Sequence, residues 1–568
     1  MEELTKAQQS RIAVRIFKTT ADALALRGFY KPSGTSGEKL EEALRTLSPE
    51  IYGSMNDPRI TELKGLEYVM ERLPRGIEEC SRVILTAYEE LDDTSFERIE
   101  PSKRRRTSYR MSEREMCFVI TRGLSEIYDI LTHLTFLNIE ARKIRRKMTD
   151  SSGEPTLEWK GLEQIVEEKR DLKGPSLDQA IWNLSKILGR TFHETKEAYL
   201  YFEEKRKADR SNNGLLPFVY RLGKRALAEE ESRDHELMVV FTPSLRDMIG
   251  RHRCGEDWAE NLKSRLCALG LVDRPVHVVS ANLHSVANTL YGYAALKGDR
   301  RHPPSDDFEQ LCETFRDRES EVLAYASQNG LHPLPDESAS HIDCQIIDTS
   351  RLASVPLHPA LSLNFAGVKE EKPVLLVMDY AFGAQAFEVM DELLKPFCKG
   401  DDAAATLDVR SISIMGKAGI LCGNKGDIML ATAHVLEGVA HNYMVSNDLR
   451  PEDFDGSADV YEGPVVTVLG TSLQNRDLLQ RFRQTSWRAV GLEMEGGHYQ
   501  RAINAAIIRR HIRPDVKVRY AYYASDNPLV SGQTLAAGGM GREGIKPTYT
   551  ITRVILEKIF HGGEAPEE

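Results

Sequence analysis

The stretch 489–535 constrains the fold of this chain more than any other. It reads as a pair of carboxylates at Glu493 and Glu495, a segment with helical spacing, a β-rich run over 516–524, and a further carboxylate at Asp526. A strand that ends in a polar Ser-Asp pair delivers its acid to the carboxyl edge of a parallel sheet, where α/β folds bind ligands. We therefore expect two acids in one cleft, where different surroundings can keep one ionised and the other protonated.

Strand-like and helix-like segments alternate through the second half of the chain. Short apolar runs are each followed by a turn and then, in most cases, by a helical pattern, which indicates parallel strands joined by right-handed crossovers. The sequence predicts an α/β domain over 236–562 with its core at 372–562, and its first strand at 237–241 or 276–280. Further strands are predicted at 344–347, 374–378, 411–415 and 427–430.

The first part of the chain has a helical pattern. Residues 112–137 open on a capping-box pair, Ser112 with Glu115, and carry one broad apolar stripe; residues 176–206 follow the same scheme. Helices with one apolar face pack on one another. We expect an all-helical N-terminal domain over 1–230.

A basic run interrupts this helical pattern at 101–110. It contains three consecutive arginines and one lysine but a single aromatic residue. Binding of phosphate or nucleic acid is one interpretation; a solvated loop or a contact between subunits is the favoured one.

The overall charge restricts the partners. The 568 residues carry a net charge of −11, which argues against a dedicated nucleic-acid or anionic-membrane binder. No apolar run approaches the roughly 20 residues of a membrane span, and the first residues carry no signal-peptide pattern, so a cytoplasmic protein is expected. The eight cysteines are scattered without a C-x-x-C pair, and neither a metal nor a cofactor is expected.

The carboxylate motifs resemble a known group of enzymes. Glu493-Met494-Glu495, followed by a helix and by a strand that ends in Ser525-Asp526, resembles the purine nucleoside phosphorylase and nucleosidase superfamily. The continuation SDNPLVSGQTLAAGG, residues 525–539, is similar to the Ser-Asp-x-Pro-Leu extension of AMP nucleosidases. The resemblance implies a three-layer α/β domain, in which a mixed but mostly parallel sheet is flanked by helices.

The resemblance also implies roles for individual side chains. Glu495 would hold the ribose 2′ and 3′ hydroxyls, Met494 would lie against the sugar, and Asp526 would protonate or hydrogen-bond the purine at N7. Glu493 and Ser525 are carried over as neighbouring substrate-binding residues.

Glycines after two predicted strands complete the predicted site. Gly383 follows the strand at 374–378, and Gly416 and Gly419 form a Gly-Lys-Ala-Gly turn after the strand at 411–415. In the family such a turn passes beside the ribose and the phosphate or water site. Lys417 departs from the small hydroxyl residue expected there, and it either holds an anion or points outward.

The residue that would stack on the base is missing from its expected place. The segment 465–475 matches the strand that carries this aromatic residue in the family, but here Leu473 and Gln474 occupy the position. Other candidates are His434, Tyr443 and Tyr499.

The turn at 280–285 offers a further candidate. Its strand-to-helix context suits anion binding by helix amides, with His284 as a phosphate ligand. The favoured alternative is an ordinary helix cap made by Asn282 or Ser285.

The resemblance implies an enzyme that hydrolyses the N-glycosidic bond of a purine nucleoside or nucleoside 5′-monophosphate. A phosphorylase that uses inorganic phosphate and an inactive nucleotide-binding or regulatory module are the alternatives. A homo-oligomer is expected from the resemblance. The cations that could meet a 5′-phosphate are Lys417, His284, Arg488 and Arg542.

Overall fold

The chain divides into two units in the computed structural model. It describes residues 4–87, 91, 93–104, 106–170, 172–297, 305, 307–363, 371–398, 404–456, 458–530 and 541–561. The first unit comprises Met1–Arg251 and Leu469–Leu478, and the second comprises His252–Val468 and Leu479–Glu568. The tail of the Ser-Asp-x-Pro-Leu extension, residues 531–539, lies outside the described residues.

Helices make up much of the first unit. The longest is α4, whose buried face carries Ile127, Leu131 and Leu134 at helical spacing. The helices of this unit are α1 Lys6–Arg27, α2 Thr35–Leu47, α3 Leu63–Met70, α4 Gly123–Met148, α5 Leu157–Glu167, α6 Pro175–Leu188, α7 Phe192–Ala208, α8 Leu215–Glu231 and α9 Pro243–Met248.

The first unit also contains a six-stranded sheet, so the prediction of an all-helical N-terminal domain is wrong. The strand order is β1-β6-β2-β5-β4-β3, and β2 is parallel to both β5 and β6. The strands are β1 Phe29–Tyr30, β2 Arg82–Thr86, β3 Glu97–Arg98, β4 Thr107–Arg110, β5 Glu115–Val119 and β6 Met238–Phe241.

Two sequence patterns explain this correction. The supposed helix at 112–137 is split: β5 occupies its first part, and α4 begins only at Gly123, whose φ is +67°. An apolar run such as that of β5 fits a buried strand and a buried helix equally well by periodicity. The run 237–241 is a strand, but it pairs in this first sheet rather than in the sheet of the second unit.

The short segment Leu469–Leu478 is held within the first unit by backbone and side-chain hydrogen bonds. The Gln474 carbonyl accepts a hydrogen bond from the Glu50 N–H (3.0 Å). The side-chain amide of Asn475 donates to the Leu47 carbonyl (2.8 Å). Leu473 and Gln474, which occupy the expected place of the base-stacking residue, therefore pack in the first unit.

Helices of the second unit lie on both faces of a large sheet. They are α10 Arg253–Ala268, α11 Leu283–Leu296, α12 Phe308–Gln328, α13 Gln385–Leu394, α14 Arg476–Gln484, α15 Gly496–Ile508 and α16 Ile545–His561. The first residues of α14 belong to the segment assigned to the first unit.

The sheet of the second unit is mixed and ten-stranded. Its order is β15-β14-β16-β17-β13-β7-β10-β9-β8, and β18 pairs with both β13 and β14. Five strands therefore form a closed ring in which each strand pairs with the next: β13, β18, β14, β16 and β17. The strands are β7 Val276–Ser280, β8 Leu331–Leu334, β9 Cys344–Asp348, β10 Val374–Met378, β13 Val409–Ile420, β14 Ile428–Leu436, β15 Asn442–Met444, β16 Val460–Thr467, β17 Gly491–Glu493 and β18 Lys517–Asp526; a separate pair is β11 Phe397–Cys398 with β12 Ala404–Ala405.

Two hydrophobic clusters cover the two faces of this sheet. Along β10, Val374, Leu376 and Met378 belong to one cluster, whereas Leu375 and Val377 belong to the other. This alternation is the period of a strand buried on both faces. The first cluster includes residues of α10, α13 and α15, and the second includes residues of α11, α12 and α16.

Most of the predicted strands of the second unit are confirmed, but one turn is not. The runs 276–280, 344–347 and 374–378 are strands. Gly416 and Gly419 do not form a turn, because β13 continues through them to Ile420. Within the described residues, no helix has both the length and the apolar character needed to cross a lipid bilayer.

Candidate functional site

Strand β13 brings the two acidic motifs to the same end of the sheet. Gly419 pairs with Leu492 of β17 on one side and with Asp526 of β18 on the other. Paired Cα atoms of neighbouring strands lie about 5 Å apart, so Leu492 and Asp526 lie within about 10 Å of each other. Strand β17 runs antiparallel to β13, so the residues that follow it, including Glu495, lie progressively toward Gly416.

Glu493 is completely enclosed by donors. One carboxylate oxygen accepts hydrogen bonds from the N–H groups of Glu495 and Gly496, and the other accepts one from the Thr467 hydroxyl (2.6 Å). Nδ1 of His434 lies 3.4 Å from the second oxygen. Glu493 therefore anchors the N-terminus of α15, which begins at Gly496.

These donors keep Glu493 ionised. Burial by itself raises the pKa of a carboxyl group, but His434, the Gly496 N–H and the Thr467 hydroxyl outweigh it and hold the pKa of Glu493 below its ordinary value. A carboxylate at the beginning of a helix is also favoured by the helix dipole.

Gly496 is closely packed against two buried polar side chains. A Cβ atom at this position would lie 2.2 Å from Cε1 of His434 and 2.4 Å from the Tyr522 hydroxyl oxygen. Any other residue here would displace the start of α15. The glycine therefore fixes the backbone immediately after Glu495.

Glu495 faces the loop that follows β10. The Gly383 N–H donates to Oε1 of Glu495 (2.8 Å), and Gly383 has a φ of +55°, in the left-handed region that favours glycine. The side chain of Glu495 is partly exposed. It thus combines one fixed hydrogen bond with access to a ligand.

Asp526 has a different environment. It is 5% exposed, Oδ1 accepts a hydrogen bond from the Ser525 hydroxyl, and Oδ2 is buried with no hydrogen-bond partner among the described residues. Burial raises the pKa of Asp526 above its ordinary value, although Ser525 and the charges of Lys417 and Lys425 oppose the shift. A protonated Oδ2 would be a hydrogen-bond donor ready for a ligand.

Lys417 and Gly416 lie on β13 between these motifs. Lys417 is exposed and pairs in register with Tyr523, and its charge acts on Asp526. A Cβ at Gly416 would lie 3.4 Å from the ring of Tyr380. This is an ordinary contact distance, so the approach of the ring does not require glycine at position 416.

His284 belongs to helix α11. It is in the first turn of α11, where the Asn282 side chain caps the helix by accepting the Ser285 N–H (2.9 Å), as the alternative interpretation of this turn anticipates. Burial lowers the pKa of His284. Its side chain helps to line a cavity of about 440 Å³ together with Tyr380 and Tyr523.

The remaining candidates are spread over the second unit. Met494 is 8% exposed. Tyr499 is buried, and its hydroxyl lies 3.2 Å from that of Ser280. Arg488 and Arg542 are exposed, and Tyr443 lies on the edge strand β15. Their roles in binding a base or a 5′-phosphate stay predictions.

In one cluster of potential metal ligands, neighbouring basic side chains balance the charges of the carboxylates. His252, Asp391 and Glu392 place ligand atoms within 4.8 Å of one another. Lys395 contacts both carboxylates, at 3.5 Å and 2.6 Å, and Arg509 binds Asp391 at 2.8 Å. We assign no metal to it.

Sequence reasoning missed the residues that support the carboxylates. Thr467 and Tyr522 carry no sequence signal for a site, and His434 was considered only as a stacking candidate. Its ring centre lies 4.6 Å from that of Tyr520 in the packed interior. These contacts depend on the closed ring of strands, which no local pattern predicts.

The fold and the site define a class: a mixed α/β protein with paired acidic groups at the end of its central strands. The chain belongs to DUF6909, a family of unknown function, whose match covers residues 38–301 and 305–561. No curated protein matches the chain.

Several solved structures match part of this chain at low similarity. Futalosine hydrolase of Helicobacter pylori strain 26695 is 10% identical, with 50% of this chain and 98% of that chain covered and a TM-score of 0.29. Isoform 2 of uridine phosphorylase from Schistosoma mansoni is 13% identical, with 55% and 90% covered and a TM-score of 0.30. A methylthioadenosine phosphorylase from an antarctic soil metagenomic library is 12% identical, with 52% and 89% covered and a TM-score of 0.31. These TM-scores are too low to assign roles to residues of this chain, so the site rests on the contacts of its own residues.

Proposed function

We propose that the second unit hydrolyses the N-glycosidic bond of a purine nucleoside or nucleoside 5′-monophosphate. The observation that carries the proposal is the buried Oδ2 of Asp526, which has no hydrogen-bond partner among the described residues and lies at the same end of the strands as Glu495. The resemblance of 493–495 and 525–529 to nucleosidases supplies the substrate class.

Cleavage of the glycosidic bond requires the site to stabilise two opposite changes of charge, one on the sugar and one on the base. Cleavage passes through a transition state in which positive charge grows on the sugar while electrons flow into the base. Burial raises the pKa of Asp526, which favours its protonated form; from that form Asp526 gives a proton to N7 and makes the purine a better leaving group. Glu495 holds the ribose hydroxyls and stabilises the growing cation.

The bonds and protons balance with water as the nucleophile. The bond between C1′ and the purine nitrogen breaks, and the base leaves with the proton from Asp526. The water oxygen bonds to C1′ and releases one proton, so that one proton returns to the Asp526 carboxylate through solvent. The products are a free purine and a free sugar or sugar 5-phosphate.

Gly383 and Glu493 prepare this arrangement without touching the bond that breaks. Gly383 fixes one oxygen of Glu495, and Glu493 fixes the backbone N–H of Glu495 itself. A carboxylate whose position is set before the substrate arrives loses little entropy in binding it.

Phosphorolysis is the second candidate function. Exposed Lys417 beside Asp526 favours it, since a lysine ammonium can hold an inorganic phosphate. The products then differ: phosphate replaces water at C1′ and yields a sugar 1-phosphate. A nucleotide-binding module without catalysis is the third candidate.

One incubation separates the three candidates. The purified chain is mixed with AMP, adenosine, inosine and uridine, with and without inorganic phosphate, and the products are separated by chromatography. Release of adenine and ribose 5-phosphate from AMP without phosphate supports the proposal. A strict requirement for phosphate supports the phosphorylase, and tight binding without turnover supports the module.

A further inference from the structure

The first unit contains a cavity that the proposed function does not use. Its volume is about 380 Å³, within the range of small-molecule sites. One wall is formed by α8, where Arg221, Arg225 and Ala228 lie on one face of the helix. Glu79 and the connection between β4 and β5, residues 113–114, contribute to the other walls. All of these residues belong to the first unit.

Arg225 is a buried arginine whose donors have no acceptor. It is 6% exposed, and among the described residues none of its three guanidinium nitrogens makes a hydrogen bond. A guanidinium group keeps its charge in proteins and offers five N–H donors. Buried donors without acceptors are costly. An acceptor brought by a ligand would remove this cost.

Glu229 does not supply this acceptor. It lies one turn further along α8, and its Oε1 is 3.6 Å from Nε of Arg225, which is too long for a hydrogen bond. The carboxylate oxygens of Glu229 accept instead from the Leu237 N–H and from the Ser33 hydroxyl, both at 3.3 Å. Glu229 thus provides counter-charge but no hydrogen bond.

Two further groups act on Arg225 electrostatically, Glu78 and Cys80. Glu78 is completely buried, and its oxygens accept from the Gly76 N–H (3.0 Å) and from the Asn213 amide (2.6 Å). Burial raises the pKa of the Cys80 thiol to about 12, so this group is neutral at pH 7. The charge of Arg225 is therefore compensated, whereas its donors are not.

A second buried arginine of the same unit shows the ordinary arrangement. Arg106, from the basic run 101–110, is 1% exposed, so at this position the run is not the solvated loop that the sequence favours. Its Nη1 donates to the Arg72 carbonyl (2.7 Å), and its Nη2 donates to Asp129. Arg225 has neither kind of bond. The difference points to an acceptor that the fold itself does not supply.

His235 adds a second polar atom to the same cavity. Its Nδ1 is buried and makes no hydrogen bond among the described residues. His235 ends the short 3-10 helix Arg233–His235, which follows α8. Two polar groups without described partners, from separate elements, therefore border one cavity. This combination is typical of a binding site rather than of a packing defect.

The charged residues around the cavity favour a singly charged ligand. Besides the two arginines of α8, Arg114 and Lys224 bring positive charge. Glu79, Glu113 and Glu231 bring negative charge. A phosphate monoester carries about −1.5 to −2 charges at pH 7 and is repelled by these acids more strongly than a carboxylate is. A carboxylate also matches the parallel N–H groups of a guanidinium fork.

We propose that this cavity binds a small ligand through a carboxylate group that accepts hydrogen bonds from Arg225. The ligand is either a simple carboxylic acid or an amino acid, whose ammonium group would face the glutamates of the cavity. The site lies in the first unit and does not depend on the glycosidase proposal.

Isothermal titration calorimetry on the full chain tests this site. Propionate and L-alanine share a carbon skeleton and a carboxylate, and differ by the ammonium group. We expect saturable binding of one or both, and the tighter of the two identifies the source of the carboxylate. Propanamide, which has no charge, and inorganic phosphate should bind about tenfold more weakly or not at all.

Two variants locate the binding in this cavity. Arg225→Met removes the guanidinium group and keeps an unbranched side chain, and it should weaken binding about tenfold or more, as expected for the loss of a charged donor. Ala228→Phe fills part of the cavity without changing a charge and should weaken binding as well. Arg170→Gln removes an exposed arginine of the same unit, which pairs with Glu168 at 2.6 Å, and should leave the affinity unchanged.

Thermal unfolding shows which variants are folded, and Ala228→Phe decides the outcome if Arg225→Met does not fold. The proposal is overturned if neither carboxylate binds saturably, or if phosphate or propanamide binds as tightly as the better carboxylate. It is also overturned if a folded Arg225→Met or Ala228→Phe variant keeps the full affinity. Glu495→Gln should bind as the unmodified chain does; loss of binding in that variant would place the ligand at the acidic motifs instead.

Discussion

Glu493 and Asp526 are both buried carboxyl groups at strand ends, yet their surroundings differ completely. Glu493 is bonded by two backbone N–H groups and a hydroxyl, and its pKa is lowered. Asp526 has one oxygen with no described partner, and its pKa is raised. A fully partnered acid stabilises the fold, whereas an acid with an open oxygen and a raised pKa can exchange a proton with a ligand.

Removing the proton donor should have the largest effect. Asp526→Asn is expected to lower kcat for adenine release from AMP by about 10²- to 10⁴-fold, the usual value of a general acid. Asp515→Asn, at a surface ion pair with Arg513, is the matched control and should keep full activity. Steady-state kinetics measure both. Equal rates for the two variants would remove Asp526 from the chemistry.

Glu495→Gln is expected to be the next most damaging change. The neutral amide keeps the shape of the side chain but loses the charge that stabilises the sugar cation, and we expect a loss of about 10²- to 10³-fold in kcat/KM. Glu309→Gln, at an exposed ion pair with Lys546, serves as the control. A change in KM alone would make Glu495 a binding residue without a role in the transition state.

Changing Glu493 should affect stability more than activity. In Glu493→Gln the amide group would face the N–H groups of Glu495 and Gly496 or the Thr467 hydroxyl with fewer acceptors, and we expect a loss of about 1–3 kcal/mol in the free energy of unfolding. Chemical denaturation measures it, with Glu309→Gln again as the control. An unchanged midpoint would contradict the anchoring role assigned to Glu493.

The smallest expected effect is on the pH dependence of folding stability. Its sign should be opposite for Glu493 and Asp526. The folded-state pKa of Glu493 is below its ordinary 4.5, so its contribution to stability is present above that pH and is lost as pH falls through the lowered pKa. The folded-state pKa of Asp526 is above its ordinary 3.8, so its contribution is present below pH 3.8 and is lost as pH rises through the raised pKa.

Thermal unfolding of the two variants as a function of pH checks these signs. The Tm deficit of Glu493→Gln should shrink as the solution is acidified. Asp526→Asn should become more stable than the unmodified chain as pH rises through the raised pKa of Asp526. Parallel curves for all three proteins would show that the two environments do not differ in the folded state.

Sequence alone predicts the local helices and strands of the second unit. It does not predict how the strands pair into a closed ring. Runs such as 374–378 are apolar throughout and are bounded by turns, so their strands are predictable. The pairing of Gly419 with two strands depends on β17 and β18 meeting β13 from opposite sides, a contact between segments far apart in sequence. For the same reason the Gly-Lys-Ala-Gly segment was predicted as a turn although it is part of a strand.

The first unit was harder to predict. Strand β5 and helix α4 form one continuous apolar pattern, and the first part is a strand because it pairs with β2 on one side and with β4 on the other. The burial of Arg106 was equally hidden, because a basic run beside polar residues is typical of exposed loops. In both cases long-range contacts override the local pattern.

Incubation with AMP in H₂¹⁸O without phosphate tests the central claim most directly. Mass spectrometry of the products should show free adenine and ribose 5-phosphate with one ¹⁸O at C1, formed by the unmodified chain and by Asp515→Asn but not by Asp526→Asn. If the unmodified chain releases no base from AMP, adenosine or inosine, or if Asp526→Asn releases it at the same rate, the account of Asp526 and Glu495 as a glycosidase site is wrong.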